Sequence, residues 1–146
     1  MKIYTIGFTK KNAERFFSLL KSNGVETLID VRLNNVSQLA GFAKKDDLKY
    51  FLKELCSINY IHMPVFSPTK EILDGYKKKN LDWREYESQF NQLLTERNVH
   101  NLFEPVELDG VCFLCSEHEA DRCHRRLVAE FIAKNVDVDI EIEHLQ

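Results

Sequence analysis

Apolar positions along this chain recur at two different spacings. Short unbroken runs at Lys2 to Gly7, Val25 to Val31, Tyr60 to Met63 and Val111 to Cys115 have the pattern of strands covered on both faces. Between them the apolar residues return at helical intervals. Phe16, Phe17, Leu19 and Leu20 follow an Asn12 cap, and Leu48, Phe51, Leu52 and Leu55 follow Asp46 or Asp47. Tyr86, Phe90, Leu93 and Leu94 mark a helix from Trp83 to Arg97 capped by Asp82; Leu127, Val128, Phe131 and Ile132 mark one capped by Asp121. Ser67-Pro68 predicts the opening of a weaker helix running to Lys79 and interrupted by Gly75, and Gly24 suits a left-handed helix end. Leu33 to Lys45 and Asn98 to Gly110 carry little periodicity and predict connections. From Val136 to Glu143 strict alternation predicts an edge strand with one acidic face in water.

Strands separated by helices predict an α/β fold: a single three-layer domain over residues 1–146, with a mostly parallel five-stranded sheet and helices on both faces. In such sheets ligands bind beyond the carboxyl ends of the strands. The residues expected there are Gly7, Phe8 and Thr9 after the first strand, Asp30 and Arg32 at the second, Pro64 after the third, and Cys115 with Glu117 at the fourth.

The densest chemistry lies between Val111 and Ala133. Cys115 closes the strand, Glu117 lies in an acidic loop, and Cys123, His124 and Arg125 fall in the first helical turn, where unpaired N–H groups and the helix dipole can lower a thiol pKa. Counting back from Leu127 and Val128 puts Cys123 and His124 on the face toward the sheet, with Arg125 rotated off it and able to reach the loop. The bland alternative is a hydrogen-bond network that fixes the loop, with Glu117 and Arg125 as an ordinary ion pair. Asp30 and Arg32 read equally as a buried salt bridge or as a carboxylate placed for a ribose hydroxyl or for orienting His124. Gly7 reads as a tight turn, and His62 as a satisfied histidine under the third strand.

The four cysteines are expected to be reduced, with Cys56 and Cys112 in the core. A net charge of −3 argues against a protein built to grip duplex phosphates; nucleic acid stays possible without being indicated. No apolar stretch is long enough for a membrane span, and the amino-terminal residues lack a signal peptide's pattern, so a cytosolic location is expected.

Leu114-Cys115-x-Glu117-x5-Cys123-His124-Arg125 strongly resembles the signature of the family catalogued as domain of unknown function 488. Tyr4-Thr5-Ile6-Gly7 and Leu28-Ile29-Asp30-Val31-Arg32 resemble its other fixed points, and Tyr60-Ile61-His62-Met63-Pro64 a looser one, so the likeness spans nearly the whole chain. It implies an α/β fold and a set of suspect residues, and it brings no established reaction. The chain departs from the pattern at Phe8-Thr9, where the family has His-Ser, and at Leu33-Asn34-Asn35-Val36, where it has a proline and a serine-arginine region. Both departures fall on the substrate side.

Several chemistries fit the rim. The first is an enzyme acting on a nucleotide, nucleic acid or other phosphate-bearing small molecule. There the helix start and Arg125 hold phosphate, while Glu117, Asp30 and His124 do acid–base work. The second is a thiol enzyme of rhodanese or cysteine-phosphatase type, against which three loop carboxylates, Glu117, Glu119 and Asp121, would repel an anion. No cofactor is expected, although Cys115, Cys123 and His124 with Glu117 could hold zinc; Cys112 and Cys115 should point to opposite faces of their strand. A non-catalytic module that senses a nucleotide through the same rim is the remaining reading.

Overall fold

The computed structural model describes residues 1–36 and 41–146. Its strands are β1 (Lys2–Gly7), β2 (Thr27–Asp30), β3 (Asn59–His62), β4 (Val111–Cys115) and β5 (Glu141–Leu145). All pair in parallel in the order β3-β2-β4-β1-β5, so the sheet is wholly rather than mostly parallel. The helices are α1 (Ala13–Ser22), α2 (Lys45–Phe51), α3 (Lys70–Lys77), α4 (Trp83–Glu96) and α5 (His124–Asn135). One side of the sheet, with Ile6, Leu28 and Leu114, packs on Phe16, Phe17 and Leu20 of α1 and Leu48 of α2. The other, with Ile3, Ile29 and Phe113, packs on Phe90 and Leu94 of α4 and Leu127, Val128 and Ile132 of α5. The central strand β4 is buried at every position, which is why its sequence is an unbroken apolar run. Cys112 and Cys115 belong to opposite faces of it.

Several helix boundaries differ from the sequence expectation, each for a local reason. Asp121 does not cap α5. Cys123 is the cap residue, without a side-chain hydrogen bond, because the chain first turns through a Cys123 N–H to Ala120 carbonyl contact of 3.1 Å. Exposed Asp121 instead offers its carbonyl to Arg126 Nε at 2.9 Å. Ser67 does not open α3; it is fully buried and donates to the Val31 carbonyl at 2.9 Å, and Thr69 caps the helix two residues later. Gly75 lies inside α3 without interrupting it, close against the Leu81 side chain. Lys44, rather than Asp46 or Asp47, occupies the α2 cap. After Phe51 the helix widens into a π turn, Leu52–Cys56, closed by Ser57 in the left-handed region. The wider turn breaks the expected stripe, leaving Leu55 exposed and Cys56 only half-buried rather than in the core.

Asn12 and Asp82 cap as expected, Asp82 within a reciprocal box with Glu85. Asp82→Ala is expected to cost about 1 kcal/mol in a urea titration, the usual worth of such a cap. The alternating segment enters the sheet late: β5 starts at Glu141, while Val136 and Ile140 pack as half-buried residues against the α5 layer. Of the connection from Leu33 to Lys45, Gly41–Ala43 forms a short 3-10 turn, and residues 37–40 lie outside the described residues. Among the described residues no helix is long and apolar enough to cross a membrane.

Candidate active site

A parallel sheet puts the carboxyl ends of all its strands on one rim. Gly7 stands beside Cys115 in the register, and Asp30 lies between Leu114 and His62. The loop that follows β4 is clamped onto β1. Thr9 donates to the Ser116 carbonyl from its hydroxyl at 2.5 Å and from its backbone N–H at 3.1 Å. Gly7 is there because the chains touch: a Cβ on it would lie 1.5 Å from the Glu117 carbonyl oxygen and 2.9 Å from Arg125 Nη1. The sequence signalled a tight turn at Gly7; the cause is close approach.

Arg125 ties this contact together. It is fully buried, and its guanidinium donates to the Glu117 carbonyl at 2.5 Å, the His118 carbonyl at 3.2 Å and the Thr5 hydroxyl at 3.3 Å. It does reach the loop, but through the backbone, so the Glu117–Arg125 ion pair of the bland alternative is not formed. Among the described residues no carboxylate lies within ion-pair distance of Arg125. Its positive charge helps lower the pKa of Cys115.

Asp30 and Arg32 form the buried pair. Asp30 accepts from Arg32 Nε at 2.9 Å and Nη2 at 2.8 Å, and from the Tyr60 hydroxyl at 2.6 Å. Burial and that bond push the Tyr60 phenol up. Arg32 also donates to the Ala43 carbonyl at 2.7 Å and lies 5.3 Å from the ring of buried Phe8. Phe8, the first departure from the family pattern, thus packs on Arg32. His62 meets the Arg32 carbonyl at 2.8 Å, the satisfied histidine the sequence suggested. The group that orients His124 is the Val31 carbonyl, 2.6 Å from Nε2, and not Asp30.

The thiols sit at the centre. Cys115, Cys123 and His124 are all buried, and their ligating atoms lie within 4.8 Å of one another. The Cys115 sulfur is 3.5 Å from Nδ1 and 3.7 Å from Nε2 of His124, nearly equidistant, so it rests over the ring and off both lone pairs. The Cys115 pKa is lowered, chiefly by the hydrogen bond from the Cys123 thiol and further by the Ser116 N–H and Arg125, against the opposing effect of burial. Cys123 is raised, by that same bond and by burial. Cys112, on the other face, is pushed up by burial. The trio is the metal-capable group among the described residues. The two sulfurs and the imidazole are the donor set that would hold zinc, which would supply a Lewis acid at this rim.

Over these thiols opens a cleft of about 290 Å³ whose lining includes Cys115, Cys123, His124, Glu117, Arg122 and Arg32. Its far wall is Tyr76, Trp83 and Tyr86, with Lys77 at the edge. Trp83 and Tyr86 stack at 5.0 Å and 19°, and Tyr76 meets Tyr86 at 5.1 Å. Nothing in the sequence marks this wall: Tyr86 reads as an ordinary inward helix position, and only the fold brings residues of α3 and α4 to the same cleft as Cys115. A larger cavity lies elsewhere, about 690 Å³ between α1 and α2, lined by Phe17, Phe42, Phe51 and Leu55 and sharing no lining residue with the rim cleft.

Fold and site together define a three-layer α/β protein with a parallel sheet and a buried dithiol–imidazole group at its carboxyl rim. The family described as Domain of unknown function DUF488 matches residues 12–132, and the chain belongs to that family. No curated protein matches the chain, and no solved structure does.

Proposed function

We propose that this protein is an enzyme in which Cys115 is the nucleophile, acting on a planar, anionic small molecule such as a nucleotide or another phosphate ester. The observation that carries this reading is the setting of Cys115. It lines a cleft within 4.8 Å of the Cys123 sulfur, its pKa is lowered with that neighbouring thiol as the largest cause, and a buried arginine that has no carboxylate partner among the described residues adds to the lowering. Burying an unpaired cation is costly unless an anion forms beside it, and a thiolate is that anion. The aromatic wall suits a planar ring, and Arg122 and Lys77 suit the negative group it carries. In this scheme the thiolate forms a bond to the substrate's electrophilic atom as the leaving group departs with its electron pair. The exposed Glu117 carboxylate at the cleft then takes a proton from the water or second substrate that displaces Sγ. Of the three carboxylates that argue against an anion at the loop, exposed Glu119 and Asp121 are not part of the cleft lining, whereas Glu117 lines it together with Arg122, Lys77 and Arg32.

Alkylation by iodoacetamide, followed by peptide mass mapping, tests the nucleophile. Cys115 is expected to label first, with a rate that rises at lower pH than that of Cys56, whose thiol burial pushes up. Equal slow labelling of Cys115 and Cys56 would remove the reading, even though Cys56 is the more exposed of the two. Trp83 is the sole tryptophan, so its fluorescence reports on the cleft alone. Nucleoside phosphates should quench it and Arg122→Ala should weaken the effect, whereas free nucleosides should act weakly. One observation favours a second reading, the convergence of the trio on a possible metal. Stoichiometric zinc in protein purified without chelators would replace the nucleophile by a metal centre.

A further inference from the structure

We infer that Cys123 is the resolving thiol for Cys115: once a hydroperoxide has oxidised Cys115 to a sulfenic acid, Cys123 closes a reversible disulfide with it. The inference rests on Cys115 being the reactive thiol of the proposed enzyme. It adds a second role to the site, protection and reversible shut-off under oxidant.

Geometry singles out this pair. The two sulfurs lie within 4.8 Å of each other and line the same cleft, through which a small oxidant reaches both. Cys112 is fully buried on the opposite face of β4, and Cys56 is in the π turn after α2, so neither competes. The chain between the partners is only the Ser116–Arg122 loop, so closure confines little chain. The loop is anchored at its start by Thr9 and Arg125, and a Cys123 N–H to Ala120 carbonyl bond fixes its end. Side-chain rotation at Cys115 and Cys123 can therefore bring the sulfurs together while the loop stays docked.

The order of events follows from the same contact. While Cys115 is a thiolate, its negative charge within 4.8 Å of the Cys123 sulfur keeps the Cys123 thiol protonated. In the first step the Cys115 thiolate attacks the peroxide; the S–O bond forms, the O–O bond breaks, and the departing alkoxide or hydroxide takes a proton from water. Cys115 is then an uncharged sulfenic acid, and the charge that restrained Cys123 is gone. Cys123 gives its proton to the departing hydroxide, forming water, as its sulfur bonds to Cys115 Sγ and the S–O bond breaks. An external dithiol returns both cysteines to thiols and is itself oxidised to a disulfide.

The test is hydrogen peroxide added to the full chain, followed by alkylation and peptide mapping. Wild type should give a single Cys115–Cys123 crosslink, lost on treatment with dithiothreitol. Cys123→Ser, checked for folding by circular dichroism, should stop at a dimedone-reactive Cys115 and pass on to sulfinic acid about tenfold faster than wild type. Cys115 sulfinic acid appearing in wild type with no crosslink would overturn the inference, and that result needs no variant. Rapid iodoacetamide labelling of Cys115 in protein of the same batch kept from peroxide would show that only the resolving role had failed. Absence of that labelling would mean that the nucleophile had failed first.

Discussion

Gly7→Ala is expected to lower the melting temperature by about 10 °C or more, the equivalent of about 4 kcal/mol in a domain of this size. The alanine methyl would overlap the Glu117 carbonyl, 1.5 Å away, and crowd Arg125 Nη1. Neither neighbour can yield cheaply, because the carbonyl is backbone held by Arg125, and the arginine is fully buried. The strand and loop must separate, which also breaks the Thr9 to Ser116 contacts and opens the floor under Cys115. Gly24→Ala is the control. Gly24 has φ of 68° with nothing near its missing Cβ, so alanine there meets conformational strain alone and should cost about 1 kcal/mol. Thermal melts of the two variants separate the explanations: similar small losses would mean that the loop is not docked on β1 as described.

The comparison between these glycines shows what a sequence can and cannot carry. Gly24 follows a helical stripe, so its conformational role is written locally, and Asn12, Asp82 and the β4 run are legible for the same reason. The parallel sheet follows from the alternation of strands and helices, and it alone predicts that Gly7, Asp30 and Cys115 share a rim. Gly7's reason, in contrast, lies over a hundred positions away in the Glu117 carbonyl, and no spacing rule contains it. The same holds for the Tyr76–Trp83–Tyr86 wall and for the Val31 carbonyl, which accepts from both His124 and Ser67. Backbone carbonyls are present at every residue, so nothing in the sequence marks which one will be recruited. The π turn escaped for a different reason: Leu48, Leu52 and Leu55 fit a regular helix, and the widening that turns Leu55 outward leaves the pattern unchanged.

Arg125 gives the largest expected effect that joins stability to chemistry. Arg125→Met keeps most of the side-chain length but leaves the Glu117 and His118 carbonyls and the Thr5 hydroxyl without their donor. Hydrogen bonds from a charged donor are worth about 1.5 to 3 kcal/mol each, and relief from burying an unpaired cation offsets part of that sum. A net loss of about 3 kcal/mol is expected in denaturant unfolding. Thr5 also meets His144 Nδ1 at 2.6 Å, so its hydroxyl keeps one partner and the loop carbonyls bear most of the penalty. Arg125→Lys should be comparably destabilised, because one ammonium cannot span three acceptors set apart by a guanidinium fork. The two variants part company at the thiol. With the positive charge gone in Arg125→Met, the Cys115 pKa rises, and its alkylation profile moves toward alkaline pH; the lysine variant retains charge and should move less. The bond from Cys123 remains in both, so the profile should stay on the acid side of that of Cys56. Equal profiles for wild type and Arg125→Met, in protein still folded, would assign the arginine to holding the loop and leave the Cys115 thiolate to the Cys123 hydrogen bond alone.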